Sequence, residues 1–170
     1  MKLTITNLLF GIFLSSSLMG CGAFSDDTKI EIQMYGIAKT PATAAGDRDP
    51  QFQTWEVQSI TLDGAEPAAL VPESADFKIV DRPQILVSRN AKSYLGKTYT
   101  GMTVVFGPTV TGGDNSEDAL SFTISTPTLA LTEAIAFEQG KSKTYLIKAS
   151  WANTLSTGTM TEPTLEISRQ

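Results

Sequence analysis

The sequence contains no histidine and only one cysteine, Cys21. The first absence excludes Ser-His-Asp and Cys-His catalytic arrangements, imidazole acid–base chemistry and His-ligated zinc. The second excludes an internal disulfide, and with Cys21 assigned as below it leaves no cysteine nucleophile. Basic residues are in deficit, with 13 Lys and Arg against 18 Asp and Glu, a formal net charge of −5. A chain of that balance without a basic cluster is a poor nucleic-acid binder, because phosphate contacts dominate such affinity. By the same token it is expected to bind anionic lipid headgroups poorly. No apolar run reaches the 20 or so residues that a membrane-spanning helix needs.

The longest apolar stretch is Leu8 to Leu18, softened by Ser15, Ser16 and Ser17 and preceded by Lys2. As a helix it would cover roughly 16 Å at about 1.5 Å per residue. It therefore has the length of the hydrophobic part of a secretory signal. Leu18-Met19-Gly20-Cys21 follows at once. This run resembles the lipobox of bacterial lipoproteins, although Met19 is an unusual occupant of its tolerant position. The resemblance implies cleavage before Cys21, a diacylglyceryl group on its thiol and acylation of the new amine. The competing reading is a signal-anchor helix followed by a free or buried cysteine. The expected organisation is a signal peptide over 1–20, a lipidated cysteine with its tether over 21–28, and a folded body over 29–170. Eight extended tether residues reach at most about 26–29 Å. Gly22, where an Asp often marks inner-membrane retention, favours the outer membrane of a two-membrane cell, on its periplasmic or surface face. Asp26 and Asp27 either mark surface export or keep the tether solvated. Removing residues 1–20 takes away Lys2 alone and leaves 12 basic and 18 acidic residues.

Beyond the tether, β-branched and aromatic residues fall in short alternating runs, with no convincing helical period. This is the pattern of an antiparallel β-sandwich of about eight to ten strands in two sheets. Ile30, Ile32 and Met34 share one face of a first strand. A strand from Phe52 to Leu62 changes parity between Val57 and Ile60, which predicts a bulge near Gln58-Ser59. Asp63 to Glu66 is a turn, after which Ala68 to Val71 pairs back. Pro83 separates two short runs, Phe77 to Val80 and Gln84 to Val87. Asn90 to Gly96 is one helical turn or a loop. Thr98 to Phe106 reads as one strand with Met102, Val104 and Phe106 on one face and Tyr99, Gly101, Thr103 and Val105 on the other. Thr109 to Thr111 resumes, Gly112 to Asp118 is a loop, and Leu120, Phe122 and Ile124 line another strand. Ala134 to Phe137 and Thr144 to Trp151 flank the turn Glu138-Gln139-Gly140-Lys141 as a hairpin. A last strand, Thr164 to Ser168, turns Leu165 and Ile167 inward.

Gly96-Lys97-Thr98-Tyr99-Thr100-Gly101 running into Met102-Thr103-Val104-Val105-Phe106 resembles a strand of a bacterial envelope domain family of unknown function. Gln139 to Ile147, Val57 to Leu62 and Glu162 to Ile167 are similar to further strands of that family, over roughly 29–168. The 38–51 loop departs from its pattern. The resemblance implies a transthyretin-like or immunoglobulin-like sandwich in a secreted or lipid-anchored protein. It carries over no catalytic residue.

Other constellations compete with bland readings. Asp114, Asn115, Ser116, Glu117 and Asp118 form an oxygen-rich loop open to calcium or simply solvated, with spacing unlike an EF-hand; Asp47 and Asp49 beside Arg48 are a weaker version. Carboxylate pairs for glycoside cleavage lack a motif. Ser93 with Lys97, and Ser142 with Lys143, lack the context of a Ser-Lys dyad. Trp55, Trp151, Tyr35, Tyr94, Tyr99 and Tyr145 either stack on a sugar or peptide or pack in the core, and Tyr145, Ile147, Ala149 and Trp151 share a core-like parity. The Thr-rich end, Met160 to Ile167, is a candidate for strand exchange. The expectation is a non-enzymatic, lipid-anchored envelope protein with a structural, scaffolding or binding role, needing no cofactor or metal. Its partner is the bilayer through acylated Cys21, with no nucleic acid and with a protein or glycan partner left open. The alternatives are a carbohydrate-binding surface module and a pilus- or adhesin-type assembly subunit.

Overall fold

The structure is a computed structural model that describes residues 27–37, 50–114, 119–125, 127–150 and 162–170. Its strands are β1 (Lys29–Ile37), β2 (Pro50–Asp63), β3 (Ala68–Leu70), β4 (Asp76–Ile79), β5 (Gln84–Asn90), β6 (Thr98–Tyr99) and β7 (Gly101–Phe106). They continue as β8 (Thr109–Asp114), β9 (Ala119–Thr123), β10 (Thr128–Leu131), β11 (Ile135–Ala136), β12 (Lys143–Ser150) and β13 (Thr164–Arg169). One 3-10 turn, Lys92–Tyr94, interrupts them. The fold is an all-β sandwich.

One sheet has the order β13-β12-β1-β5. Strand β1 lies in its middle, parallel to β12 from Ile30↔Lys143 to Ile37↔Ser150 and antiparallel to β5. Its alternation puts Ile30, Ile32 and Met34 wholly inside. A bulge in β5 buries two consecutive residues, Leu86 and Val87, because Ile32 pairs with Val87 while Gln33 pairs with Ile85.

The second sheet, β10-β7-β2-β8-β9 with β3 and β4 also on β2, is built from four long runs. Strand β2 pairs with β7 over Asp63↔Gly101 to Val57↔Phe106, and the same flank continues with β8 over Thr54↔Thr111 to Pro50↔Asp114. Its other flank takes β3 and then β4. Strands β9 and β10 follow one another along the outside of β8 and β7. Every run breaks at one level: the bulge between Val57 and Ser59, residues 71–75, Gly107-Pro108, and Ile124, Ser125 and Pro127. Backbone bonds still cross that level, from Val57 N to Ala75 O (2.8 Å), Gly107 N to Glu56 O (2.9 Å), Phe106 N to Pro127 O (2.8 Å) and Ile124 N to Pro108 O (2.8 Å). The sheet therefore changes course along one line without orphaning these amides. The bulge returns both Trp55 and Val57 above it, and Ile60 and Leu62 below it, to the core.

Trp55 centres the core, edge-on to Phe106 at 5.2 Å and Phe122 at 6.0 Å between centroids. Its indole Nε1 donates to the buried Gln53 Oε1 at 2.8 Å, so the one polar atom of the ring is satisfied inside.

Four expectations need correcting. Thr98 to Phe106 is not one strand: a bend at Thr100 separates β6 from β7, so Tyr99 leaves the Thr103–Val105 face and is buried. The turn at Glu138 to Lys141 does not close a hairpin. β11 pairs with β6, whereas β12 pairs with β1 and β13, so this turn joins different sheets. Gly112 and Gly113 belong to β8 and pair with β2 and β9; a Cβ on Gly113 would lie 2.7 Å from the Phe52 ring, and one on Gly112 2.4 Å from Phe52 O. Thirteen strands are described in place of the expected eight to ten, the surplus being short pieces such as β6, β10 and β11.

Candidate functional site

The best-built polar site lies where the chain enters the sandwich, here termed the proximal pole. Thr28 precedes β1 and is fully buried. Its hydroxyl accepts from the Gly140 amide at 2.9 Å and approaches Glu138 O at 3.5 Å. Its carbonyl accepts from Ala91 N at 2.8 Å, and Ser142 Oγ donates to Asp27 O at 3.3 Å. Gly140 has φ +71°, a conformation that presents its amide to Thr28 and that side chains with a Cβ rarely adopt. The turn that sequence patterning assigns to a hairpin thus holds the incoming chain instead.

Tyr94, Tyr99 and Phe137 form a ring cluster, linked to the clasp through Ala91, whose carbonyl accepts from Tyr94 N. Tyr99 is perpendicular to Tyr94 at 6.0 Å and to Phe137 at 6.2 Å. The β6–β11 ribbon and the Leu95↔Phe137 bridge position them. Burial raises the Tyr99 phenol above its usual pKa, against the opposing charge of Lys97 and with smaller support from Tyr94 and Glu66. Burial, helped by the Glu133 carboxylate and opposed by Arg169, pushes the Tyr145 phenol up to about 12. The hydroxyls of Tyr99 and Tyr145 and Oε1 of Glu133 are buried with no hydrogen-bond partner among the described residues. At the surface, Glu138 is held below the ordinary carboxylate range, first by its hydrogen bond to Lys141 and the Lys141 charge, then by Lys143 and Arg169.

Cys21 lies outside the described residues, as do Asp47, Arg48, Asp49, Asn115, Ser116, Glu117, Asp118 and Trp151. Asp114 ends β8 opposite Pro50. Among the described residues no three His, Cys, Asp or Glu converge as they would around a metal ion. Trp55, Tyr99 and Tyr145 are core residues and offer no exposed platform, while Tyr35 and Tyr94 are half-buried. Ser93 is exposed and Lys97 pairs with Glu66 at 3.4 Å; Ser142 binds the backbone of Asp27. Strand β13 is an edge strand, paired with β12 on one side. The Thr28 clasp carries no signal in the sequence beyond the glycine of the turn, because its partner is 112 positions away. The chain matches no known family model, no curated protein and no solved structure.

Proposed function

We propose that this chain is an envelope lipoprotein, held in a bilayer through acylated Cys21, whose β-sandwich serves a structural, scaffolding or binding role without catalysis. The reading rests on Leu18-Met19-Gly20-Cys21 placed directly after a short apolar run. The clasp at Thr28 supports it: only seven positions separate the candidate lipidated residue from a buried, hydrogen-bonded one. Such an arrangement gives the body a defined end toward its anchor. Two or three acyl chains hold a protein far more firmly than the marginal binding of a single myristoyl chain, since each buried CH₂ contributes about 0.8 kcal/mol. In a two-membrane cell the outer membrane is the proposed location. The similarity of Gly96 to Phe106 to an envelope domain family of unknown function belongs to the same proposal. Metabolic labelling with palmitate tests it. The natural chain is expected to incorporate label and to fractionate with membranes, and Cys21→Ser to lose both; a Cys21→Ser chain that keeps the label overturns the reading.

A further inference from the structure

The four-stranded sheet ends on one side at β5, and the outer edge of β5 is not left bare. Alternate residues of an antiparallel edge strand turn their N–H and C=O away from the sheet and form a template for another strand. On β5 two of these groups, Leu86 O and Ser88 N, are taken by one residue, Glu73. Its amide donates to Leu86 O at 2.9 Å, and its Oε1 accepts from Ser88 N at 3.2 Å. Arg89 reinforces the contact: its Nη1 lies 3.4 Å from Glu73 Oε1, and its Nη2 donates to Val71 O at 3.4 Å. Val71 thus meets Arg89 while Glu73 meets Leu86 and Ser88, so residues 71–75 run antiparallel to β5 as a strap. The other sheet holds this strap at both ends, through the buried Leu70 of β3 and the 2.8 Å bond from Val57 N to Ala75 O. Pro72 has no amide to offer a further strand.

Without the strap, β5 would be a pairing edge. Gln84-Ile85-Leu86-Val87-Ser88 carries no charge, and Ile85 is 47% exposed. Uncharged apolar edges of this kind add strands from other chains, and charges or covering segments are what prevent it. At the opposite edge, β13 carries Glu166 and Arg169 within its six residues. An uncharged run also complements itself, because no like charges meet when two copies align, and a twofold pair of β5 strands closes as a dimer. We propose that the strap is an edge guard: Glu73 stands where a neighbouring strand would bond to β5 and so stops a second copy of this chain from adding its own β5 there. The Glu73–Arg89 ion pair is exposed on both sides and contributes little by itself. The blocking comes from the occupation of Leu86 O and Ser88 N. The inference is independent of how the chain is anchored.

The test is sedimentation velocity of the full chain over a concentration series in one detergent, with exchange of the Ser88 amide followed in parallel by NMR. Segments outside the sandwich are the same in every chain compared, so any association they cause is common to all. Glu73→Pro removes both bonds to β5 and is expected to associate at several-fold lower concentration than the natural chain. Adding Ile85→Lys, which charges the bared edge, should return it to natural behaviour. In dilute solution the Ser88 amide of Glu73→Pro should exchange several-fold faster than in the natural chain, and association should slow it again. Association equal to that of the natural chain overturns the guard, as does association that Ile85→Lys leaves in place. If Glu73→Pro loses its strand signal in circular dichroism, a Glu73→Ala, Arg89→Ala chain, which keeps every backbone amide, takes its place and the same outcomes decide.

Discussion

The Thr28 hydroxyl and the Gly140 amide, 112 positions apart, meet at 2.9 Å and fasten the start of β1 to the turn before β12. Replacing Thr28 with Val keeps the shape and leaves that amide without its partner. Gly140 is itself exposed, so water can take over its amide and the loss is that of an ordinary hydrogen bond, about 0.5–1.5 kcal/mol. Thr28→Val is therefore expected to lower the urea midpoint accordingly. An unchanged midpoint would show that the clasp is incidental.

Gln53 and Trp55, two positions apart on the same face of β2, satisfy each other inside the core. Gln53→Leu orphans the indole Nε1, a buried donor, at a cost of about 1–3 kcal/mol. The Trp55→Phe, Gln53→Leu double variant removes both polar groups. It is expected to lose less than the sum of the single changes, because the residues are directly coupled. Denaturant unfolding of the four chains in the cycle gives the coupling energy, and strict additivity would refute it.

Two glycines, Gly101 buried and Gly96 exposed, should respond differently to alanine. A Cβ on Gly101 falls 2.2 Å from the Leu131 carbonyl oxygen, so β10 must move. Gly101→Ala is expected to cost about 2–3 kcal/mol, in the range of overpacking. A Cβ on Gly96 meets nothing within 4 Å, and only its φ of +75° resists substitution. Gly96→Ala should cost about 1–2 kcal/mol. Thermal unfolding of both variants checks the order, and a more damaging Gly96→Ala contradicts it.

Tyr145 gives a pH dependence with a definite sign. Its phenol, pushed up to about 12 in the folded chain, ionises near 10 when unfolded. The unfolded state thus sheds the proton first. The stabilisation is fully present below pH 10 and is lost as pH rises from about 10 to 12. Tyr145→Phe is expected to flatten that decline, leaving the smaller part due to Tyr99. At neutral pH it should cost nothing, since no described group bonds the hydroxyl. Urea midpoints from pH 8 to 11, with phenolate absorbance followed in parallel, test both statements. A steeper decline in the variant would sink them.

Local pattern carried much of the fold. The parity change between Val57 and Ile60 is legible because a bulge must reverse it, and the bulge is found between Val57 and Ser59. Pro83 is legible as a break, and there the chain leaves β4 in one sheet for β5 in the other. Pairing was less legible. Glu138 to Lys141 has hairpin residues and a true turn, with Lys141 N bonded to Glu138 O at 3.1 Å, yet its strands never meet. Turn chemistry reports a reversal of direction and does not name the partner. Strand β10 went unread because its exposed and half-buried residues alternate with no buried position, and its identity comes from pairing with β7. Tyr99 changed face because one bend, at Thr100, resets the parity of the two residues before it.

By itself, the sequence determined what is local. The apolar run and Cys21, the absence of histidine, and the strand-forming alternation all follow from residue identity and short spacing. The tertiary structure decided what depends on distant partners. It put β1 between β5 and β12, buried Thr28 under Gly140, and spent Trp55, Tyr99 and Tyr145 on the core. Net charge and composition are sums over the chain and lose position, whereas a hydrogen-bond donor or a packed ring responds only to the atoms directly beside it.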